Sequence, residues 1–371
     1  MPDRITELTV TLIATPIAMK RAQGSGAISR AVKRVVLQMR THDGIEGLGE
    51  ASAWEPFGGT AEGTAAALDL YLRPVLTGAD PSNIHAAVAA MDRALAGHPE
   101  AKAAAEMALW DILGKRLDQP VSALLGGAVR AEIPLSFSIA DPDFSADLDR
   151  ARAMVATGHR IFKMKTGFLS PREDAERFRR LREAAPEAEI RVDYNQGLRI
   201  IEAPAVLREI AALGPGFIEQ PIPRGHERVM AELSAMLDVP MLADESIFDA
   251  ADVLRCAHER WADAVSLKLM KTGGILKARA MAAIAGSAGL PGYGGTLWEG
   301  GVALAAAAHL IAATDSISLG CEFYMPRHAM TFDIVQHDMA IANGAILVPT
   351  GPGLGMALDA DKFKQQTELA R

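Results

Sequence analysis

The sequence predicts an α/β protein, a (β/α)8-type barrel preceded by a smaller α+β portion. Three observations carry this. From residue 133 onward eight short apolar runs recur, and each but the last is followed by a segment of helix length. The runs are nearly continuous in apolar character, as strands of a parallel sheet buried on both faces must be. Finally, polar residues stand at one place in several units, the C-terminal end of the run. Lys165, Asp193, Glu219, Asp244 and Lys268 follow one another at near-equal steps, each the length of one βα unit. Alternation alone also fits a doubly wound open sheet, but strand ends that converge on one mouth fit a barrel.

The chain of 371 residues is 49% hydrophobic and 23% charged, a globular composition. Its formal charge of −8 offers no basic surface for nucleic acid. The two cysteines, Cys256 and Cys321, stand far apart, so a disulfide framework is not expected and a reducing cytosol fits. No signal-type block opens the sequence, and no uncharged run reaches membrane-helix length. The expectation is a soluble, cytoplasmic protein with a small-molecule substrate and neither membrane nor nucleic-acid partner.

In chain order, residues 5–15 and 32–40 read as strands, and "THDGIEGLGE" places a hairpin turn at Asp43-Gly44. Helical patterns follow over 63–75, 84–95 and 100–117. The eight barrel runs are "IPLSFSI", "RIFKMK", "EIRVDYN", "GFIEQP", "PMLADES", "AVSLKLMK", "GYGGTL" and "ISLGCEF". The Pro- and Gly-rich stretch "VPTGPGLGMALDADKF" is expected to return across the surface. These signals divide the chain into an α+β part over 1–130, completed by 345–371, and a barrel over 131–344.

Taken singly, the strand-end residues are weak signals, since a lone Asp there is usually a helix cap or turn residue and a Lys-x-Lys pair is usually a solvated edge. The joint pattern is different. Asp193, Glu219 and Asp244 on three consecutive strand ends cannot share a mouth without a counter-charge. An oxygen-only set lacking His and Cys indicates a hard cation, Mg²⁺ first, with Mn²⁺ or Ca²⁺ behind it. Lys165 precedes this set by one unit and Lys268 follows it by one, so an amine stands on each flank. Lys163, two residues from Lys165 on the same strand face, is placed to lower the pKa of Lys165, as a bound cation also would. Proton transfer next to a substrate carboxylate, through an enediolate, is the chemistry such a set suits.

"KMK", "RVDYNQ", "FIEQP", "LADES" and "LKLMKTGG", with "AKAAAEMALWDILGK" before them and "GPGLG" after, resemble the muconate-lactonizing branch of the mandelate racemase/muconate lactonizing enzyme family in the enolase superfamily. The resemblance implies a modified TIM barrel, (β/α)7β, with an N-terminal α+β capping domain. It implies Asp193, Glu219 and Asp244 as Mg²⁺ ligands, Lys165 and Lys268 as the acid/base pair and Lys163 as the residue that tunes Lys165. Asn195 and Glu245 would lie behind the metal ligands. It also implies a homo-oligomer.

Members of this branch share one core site across cycloisomerases, racemases, epimerases and dehydratases, so specificity falls to the cap loops and late strands. Candidate substrate contacts are Ile17 and Met19 in the loop 17–28, which Gly24 and Gly26 are expected to make flexible. Trp54 and Phe57 in "ASAWEPFGGT", Thr296 and Leu297 in "YGGTLWEGG" and Glu322 in "GCEFYMP" complete the set. Dipeptide epimerases typically carry Asp-x-Asp at the eighth strand; its absence here argues against dipeptides. The stretch around Glu322 is similar to that of muconate cycloisomerases, although Phe323-Tyr324-Met325 departs from their pattern. A muconate cycloisomerase-type activity leads, with an N-acylamino acid racemase, an epimerase or a dehydratase as alternatives and a non-catalytic metal- or anion-binding barrel last. Trp110, Asp111, Trp298 and Cys321 read as packing residues, and His226 and His328 as surface or supporting ones.

Overall fold

The computed structural model describes residues 3–28 and 31–370, with the side chain of residue 28 left aside. Of the expected α+β part, residues 1, 2, 29, 30 and 371 lie outside the described residues. Strands β1 (Ile5–Thr15), β4 (Val32–Thr41) and β5 (Glu46–Ala51) form an antiparallel sheet in the order β1-β4-β5. The turn between β4 and β5 closes at Gly44, whose φ of 83° suits the glycine foreseen there. Between β1 and β4 the expected loop carries a small hairpin, β2 (Arg21–Gln23) and β3 (Gly26–Ile28).

The helix expected over 63–75 is interrupted. It runs as Ala61–Ala66, a π-helical turn Ala67–Leu72 and Arg73–Leu76. Pro74 explains the interruption, because it lacks an N–H and its ring crowds the carbonyl four residues back, so the register widens ahead of it. Helix Pro99–Leu117 is buried on nearly all sides. Its Asp111 accepts hydrogen bonds from Leu48 N on β5 and Leu354 N, both at 2.9 Å, and Trp110 donates to Glu106. The pair is structural, as read from sequence.

After β6 (Glu132–Pro134) come seven parallel strands: β7 (Ser136–Ile139), β8 (Ile161–Lys165), β9 (Glu189–Asp193), β10 (Ile218–Glu219), β11 (Met241–Ala243), β12 (Ala264–Leu267) and β13 (Gly292–Gly294). They form one curled sheet in chain order, β7 through β13, with helices between them. The expected eighth strand is reduced to Cys321, which bridges Leu135 on one edge and Gly294 on the other. Ser136 N donates to Cys321 O at 2.8 Å and Glu322 N to Gly294 O at 2.8 Å, so the sheet edges meet through this segment. Gly320, at φ 74°, turns the chain just before it and keeps the strand from extending. The architecture is an α/β barrel carrying an N-terminal cap.

Beyond the barrel, β14 (Ile341–Ala342) and β15 (Ala345–Leu347) pair antiparallel with β6, and helix Ala360–Leu369 packs on β1. Gln366 on that helix accepts a hydrogen bond from Arg34 Nη2 at 3.2 Å. Glu50 on β5 accepts from Gly300 N and Ala303 N, at 2.9 and 3.1 Å, and so caps the barrel helix Gly301–Ala312. Among the described residues no helix is long and apolar enough to cross a membrane.

Candidate active site

Strand β8 alternates. Phe162 and Met164 point outward into the hydrophobic core, while Lys163 and Lys165 point inward and are almost wholly buried. Parallel register then lines up the acids. Lys165 stands beside Asp193, Asp193 beside Glu219, and Glu219 beside Leu242, two residues before Asp244. Lys268 follows directly on β12. The residues singled out from their spacing therefore meet at one strand-end mouth.

Lys163 Nζ lies 3.0 Å from Asp193 Oδ2, 2.8 Å from Glu219 Oε2 and 2.7 Å from Glu322 Oε2. Lys165 Nζ lies 2.5 Å from Asp193 Oδ2 and 3.5 Å from Glu322 Oε2. On the opposite flank Lys268 Nζ lies 2.6 Å from Asp244 Oδ2. Lys271, which sequence reasoning did not single out, donates to Asp244 Oδ1 and to its carbonyl, both at 2.6 Å. Asn195 donates from its backbone N to Asp193 Oδ1 at 2.8 Å and from Nδ2 to Glu245 Oε1 at 3.2 Å. Gln220, also not foreseen, accepts from Asp244 N and Ser246 N and fixes the end of β11. The Lys163 ammonium bridges the carboxylates of Asp193 and Glu219, and those of Lys268 and Lys271 stand against Asp244.

Lys163 pushes the pKa of Lys165 down, as expected of a neighbouring ammonium, yet the net shift is upward. Burial and Lys163 both push it down, but the Asp193 and Glu322 carboxylates outweigh them. Lys268 is raised for the same kind of reason: burial pushes it down, but Asp244 and Glu219, with Glu245, together outweigh it. Among the acids, burial and the charge of Asp193 push Glu219 up to about 8, and burial with Asp244 pushes Glu245 up to about 8. Burial opposes ionisation of Asp244 too, but Lys268 and Lys271 hold it well below the carboxylate range.

The donor set fits a hard divalent cation. Among the described residues, Glu219 Oε1, Glu245 Oε2, Asn195 Oδ1 and Glu322 Oε1 are buried and receive no hydrogen bond, and Glu219 Oε2 has the Lys163 ammonium beside it. Buried oxygens without donors, two of them on Glu219 and Glu245, which resist ionisation, mark a place that a cation would satisfy.

Over the lysines lies a tight cavity of about 10 Å³, lined by Trp54, Phe57, Thr296 and Leu297 as foreseen, and by Gln23, Trp298 and Tyr324, which were not. Trp54 and Phe57 stack at 5.1 Å, and the Phe57 ring sits 4.9 Å from Lys268 Nζ. Thr296 Oγ1 donates to Glu322 O at 2.9 Å. A Cβ on Gly295 would stand 2.6 Å from Lys268 Cε, so this glycine is what lets the lysine lie in the mouth. Ile17 and Met19 do not reach this cavity: Ile17 pairs with Met330, and Met19 lines a second small cavity with Arg21 and Tyr324. Gly24 serves close approach and not flexibility, because a Cβ there would stand 1.9 Å from Tyr194 O. His226 is exposed, His328 packs on Phe137, and Cys321 is buried at the closure.

Two family descriptions cover most of the chain. "Mandelate racemase / muconate lactonizing enzyme, N-terminal domain" matches residues 7–126, and "Enolase C-terminal domain-like" matches residues 146–362. The chain belongs to the mandelate racemase/muconate lactonizing enzyme family. This family member is 35% identical to the chloromuconate cycloisomerase CbnB of Cupriavidus necator, over 99% of the chain and 100% of the relative. Among solved structures it is similar to a muconate cycloisomerase from Azorhizobium caulinodans, with 48% identity, 99% of both chains covered and a TM-score of 0.87. It is also similar to an N-succinyl Arg/Lys racemase from Bacillus cereus ATCC 14579, with 31% identity, 98% of both chains covered and a TM-score of 0.93. The family member is therefore an enzyme of the enolase superfamily, related to named isomerases.

Proposed function

We propose that the chain is a divalent-metal-dependent cycloisomerase that lactonises muconate-type substrates. The observation that carries the reading is the pair of lysines on opposite flanks of one carboxylate set, Lys165 against Asp193 and Lys268 against Asp244. Asp193, Glu219 and Asp244 would hold Mg²⁺, or Mn²⁺, with Asn195 and Glu245 orienting them. When bound, the cation would stabilise the enediolate character that develops on a substrate carboxylate. Lys165 delivers the proton to the enolate carbon formed as one carboxylate adds across a double bond. Lys163 holds Asp193 and Glu219 in place beside it, and Lys268 steadies charge from the opposite face. Trp54 and Phe57 exclude water above the reacting atoms.

A second reading, racemisation of an N-acylated amino acid, is favoured by the same opposed lysines, since each could exchange a proton on its own face. The experiment is turnover with Mg²⁺ in D₂O across muconates, N-acylamino acids and N-succinylamino acids, with Lys165→Ala and Lys268→Ala beside the parent. Lactone formation abolished by Lys165→Ala supports the cycloisomerase. Loss of exchange from one stereoisomer only in Lys268→Ala supports the racemase, and no turnover in any class overturns both.

A further inference from the structure

Strand β8 carries Lys165 one residue past its pairing with β7, which ends at Ile139 opposite Met164. Two residues on stands Gly167, at φ 77°, where the lack of a Cβ leaves the backbone loosely restrained. The helix that follows, Pro171–Ala184, closes on this strand end with two buried side chains. Arg177 Nη1 donates to Lys165 O at 2.9 Å, and Asp174 Oδ2 accepts from Gly167 N at 3.0 Å. From the other side, Thr166 donates through N and Oγ1 to Asp193 O, at 2.9 and 3.0 Å. Lys165, Thr166 and Gly167 are thus each tied down, two of them by one helix.

The local sequence brings that helix into place. Ser170 Oγ accepts from Glu173 N at 3.3 Å and Glu173 Oε2 from Ser170 N at 3.0 Å, a reciprocal cap that fixes where the helix begins. Asp174 and Arg177, three residues apart, then share one face. Stability alone does not account for the pair. Arg177 Nε and Nη2 are buried with no partner among the described residues, and the contact with Asp174 Oδ1 is long, at 3.5 Å. The guanidinium lies 4.8 Å from the Phe144 ring centroid and 4.9 Å from that of Phe168, contacts that offset part of its desolvation. Apolar side chains of similar volume often replace such a pair without loss of stability. They cannot hold the carbonyl and the amide of the strand end that carries Lys165.

Resting on the reading of Lys165 as the acid/base, we propose that Arg177 and Asp174 are positioning residues that clamp the backbone beneath Lys165 and so keep its ammonium beside Asp193 in the mouth. About 1 Å of slack at a reacting group costs on the order of a hundredfold in rate. Lys268, on the opposite flank, lies outside the clamp, so the two lysines respond differently when it is removed.

The test reads Lys165 with and without substrate. In the full chain, competitive acetylation by acetic anhydride at neutral pH, followed by peptide mass spectrometry, gives the labelling rate of Lys165 relative to Lys268. Arg177→Met is expected to raise that ratio about threefold or more, as local opening of one strand end would. An unchanged ratio, or equal rises at both lysines, overturns the proposal, since general loosening exposes both. If Arg177→Met does not fold, Asp174→Asn carries the test, because it keeps the shape and removes the charge facing Arg177. Its ratio is expected to rise about twofold, and an unchanged ratio overturns the proposal. Muconate turnover with Mg²⁺ is followed in parallel. There Arg177→Met is expected to lower kcat about ten- to hundredfold with KM within about twofold; a raised ratio with unchanged kcat overturns the positioning role. A raised ratio in a chain whose parent lactonises nothing supports the clamp and removes the cycloisomerase reading, whereas lactonisation with an unchanged ratio removes the clamp alone.

Discussion

Lys163 Nζ lies 2.7 Å from Oε2 of Glu322, so one ammonium ties the second barrel strand to the segment that closes the barrel. Asp193 and Glu219 share the same ammonium, and removing Glu322 therefore leaves Lys163 partly compensated. Glu322→Gln should lower stability by about 1–3 kcal/mol, below the cost of orphaning a buried charge outright. Thermal unfolding in EDTA measures it, and a loss as large as that of Lys163→Met would contradict the sharing.

Glu219 behaves differently, because burial and Asp193 disfavour its charged form. In EDTA, Glu219→Gln should be within about 1 kcal/mol of the parent or above it, since it removes repulsion. Mg²⁺ at a hundredfold its Kd should stabilise the parent by about 2.7 kcal/mol and leave Glu219→Gln unmoved. A metal-dependent shift in melting temperature that survives the substitution would remove Glu219 from the proposed ligand set.

Gly295→Ala should act chiefly on Lys268, with Ser266 Oγ the other atom crowded, at 2.9 Å. The new methyl group meets Lys268 Cε at 2.6 Å and must push the side chain from its place against Asp244. The expected result is a folded protein with kcat down about 10- to 100-fold, as for other small displacements of a reacting group. Circular dichroism and steady-state kinetics together check it; unchanged kcat would mean that Lys268 need not lie where it does.

His309 sets a pH limit far from the mouth. Its Nδ1 accepts from Ser122 N and its Nε2 faces Leu354 O, both at 3.3 Å, so the buried ring is neutral with the proton on Nε2. Burial holds its pKa down at about 4, below the ordinary 6.5. Between those values the unfolded chain takes up a proton that the folded chain refuses. Stability should therefore fall as pH drops from 6.5 to 4, by on the order of 3 kcal/mol in all, and flatten below. His309→Gln should show a shallower slope in urea melts across that window; an identical slope would clear His309 of the effect.

Much of the barrel and its mouth could be read from the sequence, because parallel strands must be apolar and the acids recur once per βα unit. What escaped has physical causes. The eighth run contains Gly320 and shrinks to a bridge, so its alternation says nothing about its length. Lys271 lies in the short helix Leu269–Thr272, where a lysine ordinarily reads as solvated, and only the fold turns it onto Asp244. Arg21 sits in a loop-like stretch of polar residues, and nothing local announces that two distant aromatics will bury it. At Lys165, sequence spacing reveals the neighbouring lysine that lowers its pKa but not the closer carboxylates that raise it.

The pairing of Gln366 with Arg34 has a consequence for how the molecule is made. Strands β1 and β4 leave the ribosome first, yet the helix that packs on β1 and supplies Gln366 is translated after every barrel strand. During synthesis the barrel can close around Lys163 and its acids while the cap sheet still lacks this helix. The cap sheet therefore gains this packing partner on β1 only after the strands that carry Lys163 and its acids have been made.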